Sequence, residues 1–361
     1  MELIDYLRDR GLKNLCSQYH IKANRHHQYP NLVCLKYSQI DSPMEEIIVQ
    51  QARGIILDED ENWKIVSYSY DKFFNYGEPN ALEIDWQNAT VYDKLDGSLM
   101  VLYFYDGEWR VQSSGTPDAT GQVNGFPVNF GELFWKVWQE LSYSLPQETE
   151  YCFSFELMTP YNRIVVKQDT NRLTLHGVRN VSTLKEEEPK IWTERYNWEL
   201  VTTYPLGSWT DILDAAKCLD PMDFEGYVIC DRSFRRVKVK SPEYVALSHF
   251  RQGFSTRKML EIILKHEGDE FLSYYPEWSE MYHSIQQKYD DFAKKVEAEY
   301  DRYKDIPNQK DFALSIKHLP YSGVLFALRS GKSASIRESL QKTSLPKVEQ
   351  FLEIENIYLG V

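Results

Sequence analysis

Short apolar runs with the two-residue alternation of β-strands dominate the chain up to about residue 245. They are rich in β-branched and aromatic residues and are separated by turn residues such as Asp106-Gly107 and Gly115-Thr116-Pro117. The runs are RGIILDE, WKIVSYSY, SLMVLYFY, YCFSFELM, RLTLHGV, EGYVIC and RRVKVKS. This pattern predicts a mixed or antiparallel sheet domain, with helical segments such as GELFWKVWQELSYSL between its strands.

Beyond residue 245 the apolar period becomes helical. Apolar and aromatic residues recur every three or four positions at Tyr282, Ile285, Tyr289, Phe292, Val296, Tyr300 and Tyr303, which is typical of one amphipathic helix. We therefore predict an α+β protein. Its first domain, 1–245, would hold mixed or antiparallel sheets with helices, and its second domain, 246–361, would be all-α.

Composition and charge narrow the functional classes. A chain of 361 residues that is 42% hydrophobic and 26% charged is typical of a folded protein. Its net charge of −13 argues against a protein that merely coats nucleic acid, so any such contact needs a local basic patch. The segment with Arg232, Arg235, Arg236, Lys238 and Lys240 is a candidate patch.

The cysteine spacing and the N-terminal segment exclude several kinds of site and indicate where the protein is located. Five scattered cysteines without a CxxC pair favour neither a zinc ribbon nor a disulfide framework. The N-terminal segment lacks a signal-peptide core, and no apolar run approaches the roughly 20 residues of a membrane span. We expect a cytoplasmic protein without membrane contact, in the host cytoplasm if it is phage-encoded.

Lys94 in the run VYDKLDGSLM is the first candidate for chemistry. A lysine amine must be neutral to attack an electrophile, and nearby cations or burial lower its ordinary pKa of about 10.4. The same residue also fits a solvated strand edge, and Asp96-Gly97 fits a plain hairpin turn. The rest of the chain has to distinguish these interpretations.

Cations and carboxylates elsewhere supply possible partners. Lys238 and Lys240 are two residues apart, so a strand would point both to one face and Val237 and Val239 to the other. Such a pair can hold a phosphate. Further candidate phosphate-binding cations are Arg53 and Lys72, and candidate carboxylates for a divalent cation or ribose hydroxyls are Glu156 and Glu225. Each element alone also fits an exposed sheet face.

The ordered set of these motifs resembles the covalent nucleotidyltransferase superfamily of ATP-dependent ligases and mRNA capping enzymes. KLDGS, FSFEL, LTLHGVRN, EGYVI and VKVKS are similar to its motifs I, III, IIIa, IV and V, in that order. The flanking segments LKYSQIDSP, ARGIIL, KFFNYGE and TPYNRIV carry a narrower resemblance to the T-even phage RNA ligase 1 family of tRNA-repair enzymes. The likeness spans roughly residues 30–250 and continues more weakly into the helical part.

The resemblance implies a role for each candidate residue at the ATP site. Lys94 would accept AMP as a lysyl-adenylate, and Asp96 and Gly97 would form the turn that presents it. Arg53 and Lys72, with Tyr37, would contact the ATP phosphates.

The remaining roles concern the sugar, the α-phosphate and the metal. Glu156 would bind the ribose, and Glu225 would help hold a metal or orient the lysine. Lys238 and Lys240 would grip the α-phosphate. Asp269 in the helical domain would correspond to a metal-binding aspartate of the family.

One departure from the family pattern concerns Ser114. The family prototype has a Lys-Gly-Ser element after motif I, whereas this chain has Ser114 before Gly115. The phosphate contact implied for that lysine is therefore missing or is supplied elsewhere.

The resemblance implies an ATP-dependent RNA ligase that joins RNA 5′-phosphate and 3′-hydroxyl ends, with Mg²⁺ or Mn²⁺ as the metal. Its partners would be single-stranded or tRNA anticodon-loop ends and a separate polynucleotide kinase-phosphatase, and the helical domain would confer RNA specificity on a monomer. Two alternatives stay open: a DNA ligase or capping-type enzyme, and a non-catalytic RNA- or nucleotide-binding module.

Overall fold

The computed structural model describes residues 1–39, 41–123, 126–250 and 255–357, without the side chains of 248–250 and 274. The chain separates into two compact units. The first holds residues 1–38 and 42–245, and the second holds residues 39–41 and 246–361. The functional assignment of the two predicted domains stays a prediction.

The strands of the described residues all lie in the first unit. They are β1 Ile21–Arg25, β2 Leu32–Tyr37, β3 Arg53–Asp58, β4 Lys64–Ser67, β5 Phe74–Asn75, β6 Thr90–Lys94, β7 Ser98–Tyr105, β8 Glu108–Ser113, β9 Tyr151–Met158, β10 Arg172–Asn180, β11 Glu186–Glu187, β12 Glu199–Leu200, β13 Thr203–Tyr204, β14 Gly226–Cys230 and β15 Arg236–Lys240. Each of the seven apolar runs contains one of these strands, which confirms the strand predictions.

Helices flank the sheets of the first unit and make up the described part of the second. They are α1 Glu2–Tyr19, α2 Ile47–Gln51, α3 Phe130–Glu140, α4 Pro189–Tyr196, α5 Trp209–Lys217, α6 Pro242–Phe250, α7 Thr256–Leu264, α8 Gly268–Tyr274, α9 Ser279–Tyr303, α10 Gln309–Ile316, α11 Ser322–Arg329, α12 Ile336–Gln341 and α13 Leu345–Leu352. Two short 3₁₀ turns lie at Trp86–Asn88 and Pro276–Trp278.

Three sheets organise the first unit. The first sheet has the order β1-β2-β3-β4, and all of its neighbouring strands are antiparallel. The second sheet has the order β11-β10-β9-β7-β8, with β12 parallel to β10. The third sheet has the order β13-β6-β14-β15-β5, in which only the β15–β5 pair is parallel. The mixed α+β class is thereby confirmed.

Each sheet buries one face against a helix. Buried side chains of α1 pack with β2 and β3, those of α3 pack on β7, β9 and β10, and those of α5 pack on β6, β14 and β15. On its other face the first sheet contacts the second through a cluster that includes Cys34, Ile56, Val101 and Tyr103. The strand ends at the open sides of these layers remain available for a site.

The second unit is built around the predicted amphipathic helix. That helix is α9, and its buried residues are Ile285, Tyr289, Phe292, Ala293 and Val296. Tyr282, Tyr300 and Tyr303 are partly buried against the same core, so the recurring aromatic residues of this helix serve helix packing. No helix in the described part of the chain is both long enough and apolar enough to cross a membrane.

A buried carboxylate joins the second sheet to the third. Glu186 on β11 contacts Arg179 on β10 at 2.6 Å and Arg236 on β15 at 2.5 Å. The three side chains are only 8–11% exposed. Because buried charges are costly unless they are paired, each guanidinium depends on this single carboxylate.

Replacing Glu186 should therefore destabilise the protein strongly. We expect Glu186→Gln to lower the free energy of unfolding by about 3–5 kcal/mol, because two buried guanidinium groups lose their counter-charge. Urea denaturation followed by circular dichroism measures the change. Glu194→Gln, which loses only an exposed 3.8 Å pair with Lys190, should cost less than about 1 kcal/mol. Equal losses in both variants would contradict the assignment of Glu186 as the link.

Candidate active site

Three neighbouring strands of the third sheet bring the predicted lysines together. Lys94, the last residue of β6, lies directly opposite Gly226 on β14, and Lys240 on β15 lies opposite Gly226 from the other side. Lys238 is opposite Val228 on the same strand. Residues directly opposite one another share a face of a sheet, so all three lysines project from one face.

The opposite face of these strands is apolar. Val237 and Val239 are each 1% exposed, and Val239 packs with α5 in a cluster that includes Val91 and Ile229. The predicted division of the VKVK segment into a cationic face and a buried face is confirmed. The sheet backbone thus fixes where the lysine side chains begin.

Glu225 holds two of these lysines. Its carboxylate, 7% exposed, lies 2.5 Å from Lys94 Nζ and 3.6 Å from Lys240 Nζ. The Lys94 side chain is 18% exposed. The carboxylate therefore fixes the position of a mostly buried amine at the end of a rigid strand, as a presented nucleophile requires.

Two glycines permit the close backbone approaches of the site. Gly226 has a φ of +151°, and a Cβ there would collide with the Val239 carbonyl. A Cβ on Gly97 would lie 2.5 Å from the Leu157 carbonyl oxygen and 3.0 Å from Glu156 Cγ. The turn after Lys94 can thus lie against β9 only with glycine at position 97.

Asp96 is 4% exposed and bonds within the protein. Its Oδ2 accepts hydrogen bonds from the backbone N–H groups of Val165 (2.9 Å) and Val166 (2.6 Å). Its Oδ1 accepts one from the Tyr244 hydroxyl at 3.1 Å, and burial raises the pKa of the carboxyl. These contacts favour the turn-shaping role predicted for Asp96, whereas its contact with ATP stays a prediction.

A histidine absent from the sequence prediction lies beside Glu156. His176 Nε2 is 3.5 Å from Glu156 Oε2, and its Nδ1 is 2.9 Å from the Tyr70 hydroxyl. The pairing of β10 with β9 shifts register between Leu175 and Gly177, which makes His176 the extra residue of a β-bulge. Bulges redirect side chains, and this one brings His176 to Glu156.

Arg53 occupies a second bulge, on β3. The register between β2 and β3 skips Gly54, which places Arg53 opposite Lys36. The Arg53 guanidinium carbon lies 5.2 Å from the Phe73 ring centre and 6.0 Å from the Tyr70 ring centre. Its Nη1 is buried, and no hydrogen-bond acceptor for it is found among the described residues. A buried donor without such a partner is a candidate contact for a ligand.

The ammonium group of Lys72 lies close to two aromatic rings, those of Tyr37 and Phe74. Its Nζ is 5.2 Å from the Tyr37 ring centre and 4.8 Å from the Phe74 ring centre. Phe74 is on β5, which pairs with the Lys238 strand. Within the described residues neither Arg53 nor Lys72 forms an ion pair with a carboxylate, so both fit a polyanionic ligand such as the ATP phosphates.

The two predicted metal ligands differ in setting. Glu225 belongs to the lysine face, whereas Asp269 is exposed in the first turn of α8 in the second unit. Among the described residues, no three His, Cys, Asp or Glu side chains are grouped for metal binding. Mg²⁺ commonly uses one or two carboxylates together with substrate phosphates, and Glu225 fits such a partial ligand set.

This constellation lies within a segment that matches a known family. A model of RNA ligases of the T4 RNA ligase 1 type matches residues 51–244, more than half of the chain. The chain belongs to this RNA ligase family. The matched segment contains nine of the predicted site residues: Arg53, Lys72, Lys94, Asp96, Gly97, Glu156, Glu225, Lys238 and Lys240.

Individual relatives agree with this assignment. The ligase is 26% identical to an RNA ligase of Rhodothermus phage RM378, over 89% of this chain and 90% of the relative. It is 24% identical to a protein of Autographa californica nuclear polyhedrosis virus whose provisional name is bifunctional polynucleotide kinase/RNA ligase. That match covers 97% of this chain and 52% of the viral protein, so the ligase spans about half of that relative's length.

Solved structures of RNA ligases are more distant. An archaeal ATP-dependent RNA ligase superposes with a TM-score of 0.46 at 14% identity, over 72% of this chain and 68% of its own. A Naegleria gruberi RNA ligase mutant with ATP and Mn superposes with a TM-score of 0.34 at 14% identity, over 49% of this chain and 61% of its own.

The basic patch expected to face nucleic acid is partly internal in the ligase. Arg236 is buried against Glu186, and its guanidinium carbon lies 4.1 Å from the Tyr70 ring centre. Arg235 pairs with the fully buried side chain of Asp231 at 2.7 Å. The two arginines thus stabilise the fold, and the lysines of the same segment form the site.

Asp93, next to Lys94, gives the ligase a pH-dependent stability. Burial, reinforced by Glu225, raises the pKa of its carboxyl to about 6. A carboxyl whose pKa is higher in the folded state binds its proton more tightly there, so stability falls as the pH rises from about 4 to about 6. At neutral pH the ionised Asp93 therefore destabilises the folded ligase.

Asp93→Asn should remove this effect. We expect the variant to gain about 2 kcal/mol in free energy of unfolding at pH 7 relative to the parent, and the gain should shrink toward zero near pH 4. Urea denaturation at pH 4, 5, 6 and 7 measures it. Asp214→Asn, at a mostly exposed position on α5, is the matched control and should show no such trend. A gain independent of pH would refute the assignment to Asp93 ionisation.

Proposed function

We propose that the ligase uses ATP to join RNA 5′-phosphate and 3′-hydroxyl ends through an AMP adduct on Lys94. The observation that carries the proposal is the position of Lys94 Nζ. Lys94 is the last residue of its strand, and its side chain lies on the same sheet face as Lys238 and Lys240. Its amine pairs with the buried Glu225 carboxylate. A nucleophile and phosphate-binding cations on one rigid face are what covalent adenylyl transfer requires.

The reaction has three balanced steps. Lys94 Nζ loses a proton and attacks the α-phosphorus of ATP, so an N–P bond forms and the bond to pyrophosphate breaks. The RNA 5′-phosphate then attacks the same phosphorus and releases Lys94, giving an RNA–adenylate. Finally, an RNA 3′-hydroxyl attacks the 5′-phosphate, forms the phosphodiester and releases AMP.

The residues of the site divide the work by position. Lys238 and Lys240 would stabilise charge on the α-phosphate, and Glu156 would bind the ribose hydroxyls. Arg53 and Lys72, with Tyr37, would receive the remaining phosphates. The Arg53 Nη1, which has no hydrogen-bond acceptor in the described part of the chain, supports this assignment.

A divalent cation would neutralise charge on the transferring phosphate. Glu225 would provide a protein ligand for Mg²⁺ or Mn²⁺, and Asp269 of the second unit is a further candidate. Mg²⁺ in proteins commonly takes one or two carboxylates together with substrate phosphates, so a single carboxylate at this position would suffice.

We also propose an RNA substrate and a cellular setting for the ligase. The substrates would be single-stranded or tRNA anticodon-loop ends, with residues 246–361 conferring specificity on a cytoplasmic monomer. The provisional name of the baculovirus relative combines kinase and ligase. We propose that RNA ends reach this chain after a kinase reaction, and that a separate polynucleotide kinase-phosphatase carries it out.

The two alternative functions would require different structural features of the chain. A DNA ligase or capping enzyme needs an oligonucleotide-binding β-barrel after the last lysine strand, whereas the described residues after Lys240 contain only helices and one 3₁₀ turn. A non-catalytic module needs no lysine nucleophile, and the Lys94–Glu225 pair would then only stabilise the sheet.

The adduct provides the direct test of the first step. Incubation with ATP and Mg²⁺ should add one AMP to the parent by intact-protein mass spectrometry, because Lys94 is presented for attack. Lys94→Ala should show no adduct, and Lys136→Ala, at an exposed lysine on α3, should behave as the parent does. A parent that forms no adduct with Mg²⁺ or Mn²⁺ would refute the proposal.

The choice of nucleic acid is tested by competition. Single-stranded 5′-phosphorylated RNA should be sealed at least about tenfold faster than nicked duplex DNA, and gel electrophoresis of labelled strands measures both. A preference for nicked DNA would favour the DNA ligase alternative. GMP transfer from GTP to a diphosphate RNA end would favour the capping alternative.

A further inference from the structure

The side chain of Lys36, in β2, reaches the loop in which Ser114 replaces the lysine of the family's Lys-Gly-Ser element. Its Nζ donates a hydrogen bond to Ser114 Oγ at 2.9 Å, and a Cβ on Gly115 would lie 3.8 Å from both Cδ and Nζ of Lys36. Ser114 is the residue that stands where the resemblance implies a phosphate-binding lysine. The structure thus brings a lysine from another strand to the position where that charge is lacking.

Lys36 belongs to a row of cations that crosses three strands. It lies opposite Lys22 on β1 and opposite Arg53 on β3. Like charges placed directly opposite one another are unfavourable in a sheet, and burial together with Arg53 and Lys22 lowers the pKa of Lys36. Within the described residues neither Lys36 nor Arg53 forms an ion pair with a carboxylate. A bound anion would relieve this repulsion.

The loop that meets Lys36 is held rigidly. Ser113 Oγ accepts a hydrogen bond from the Thr116 backbone N–H at 3.2 Å, and Asn24 on β1 donates to the Gly115 carbonyl at 2.7 Å. A Cβ on Gly54 would lie 2.9 Å from the Ser114 carbonyl oxygen. The loop therefore lies directly against the bulge at Gly54, next to Arg53, and Lys36 contacts the loop from the position opposite Arg53.

We infer that Lys36 is a phosphate-binding residue that contacts the β- and γ-phosphates of ATP together with Arg53, in place of the lysine replaced by Ser114. The inference rests on the proposed function. The α-phosphate must lie at Lys94 on the third sheet, whereas Lys36 and Arg53 lie on the first sheet. Their ligand is therefore the part of the triphosphate that leaves as pyrophosphate, rather than the RNA phosphate that later meets Lys94.

Lys36→Met separates the first chemical step from the last. The variant should form the AMP adduct at least about tenfold more slowly at subsaturating ATP, because a charged hydrogen bond to phosphate is lost. Release of AMP from the purified adduct by added pyrophosphate should slow to a similar extent. Sealing of chemically pre-adenylated RNA without ATP should stay within about twofold of the parent.

Two further variants test position and specificity. Lys64→Met, at an exposed lysine of the same sheet, should leave every step as in the parent. Lys36→Ser combined with Ser114→Lys moves the charge to the loop and should recover most of the adduct formation that Lys36→Ser alone loses. Circular dichroism melting verifies that each variant is folded.

The outcomes distinguish this inference from the proposed function. Adduct formation by the parent, measured first, decides the proposed function. A parent that reacts while Lys36→Met reacts equally fast would refute only the inference. Equal losses in adduct formation and in sealing of pre-adenylated RNA would assign Lys36 to an RNA phosphate instead. A double variant no faster than Lys36→Ser would refute the replacement of one lysine by the other.

Discussion

The geometry of the site depends on one carboxylate between two guanidinium groups. Glu186 pairs with Arg179 and Arg236 and so fastens the second sheet to the third. Arg236 also packs on Tyr70, whose hydroxyl meets His176 beside Glu156. The third sheet contributes the lysines and the second contributes Glu156, so a shift between these sheets would change the position of Lys94 relative to Glu156. Burying an ion pair costs desolvation free energy, but the pair holds its two partners in one specific arrangement.

The distribution of charge distinguishes the two ends of the site. At one end Glu225 pairs with Lys94 and Lys240, so the protein itself holds the Lys94 amine in place. At the other end, Lys36, Arg53 and Lys72 have no acidic partner among the described residues. This local excess occurs in a chain whose net charge is −13. The end with excess positive charge therefore has the charge that a polyanion would neutralise, whereas the charge of Lys94 and Lys240 is already neutralised in part by Glu225.

Much of the fold could be predicted because strand alternation and helical periodicity leave direct marks in the sequence. The face shared by Lys238 and Lys240 follows from the pleat alone. The bulges at His176 and Gly54 could not be predicted, since an extra residue in a ladder depends on the partner strand. The same holds for Asp96, whose bonding partners lie about 70 and 148 residues away. Contacts between sheets have no local sequence pattern.

The hydrogen bond between Lys36 and Ser114 also constrains how such a site can change during evolution. Two positions 78 residues apart along the chain meet at one point in space. A lineage that acquires the strand lysine before it loses the loop lysine keeps a cation there in every generation. In the reverse order, the loop lysine is lost first, and an intermediate ancestor has neither lysine. Homologues that carry both lysines would be evidence for the first order. A comparison that scores each alignment column separately would report the loss of the loop lysine, although Lys36 keeps a positive charge at the same place in the fold.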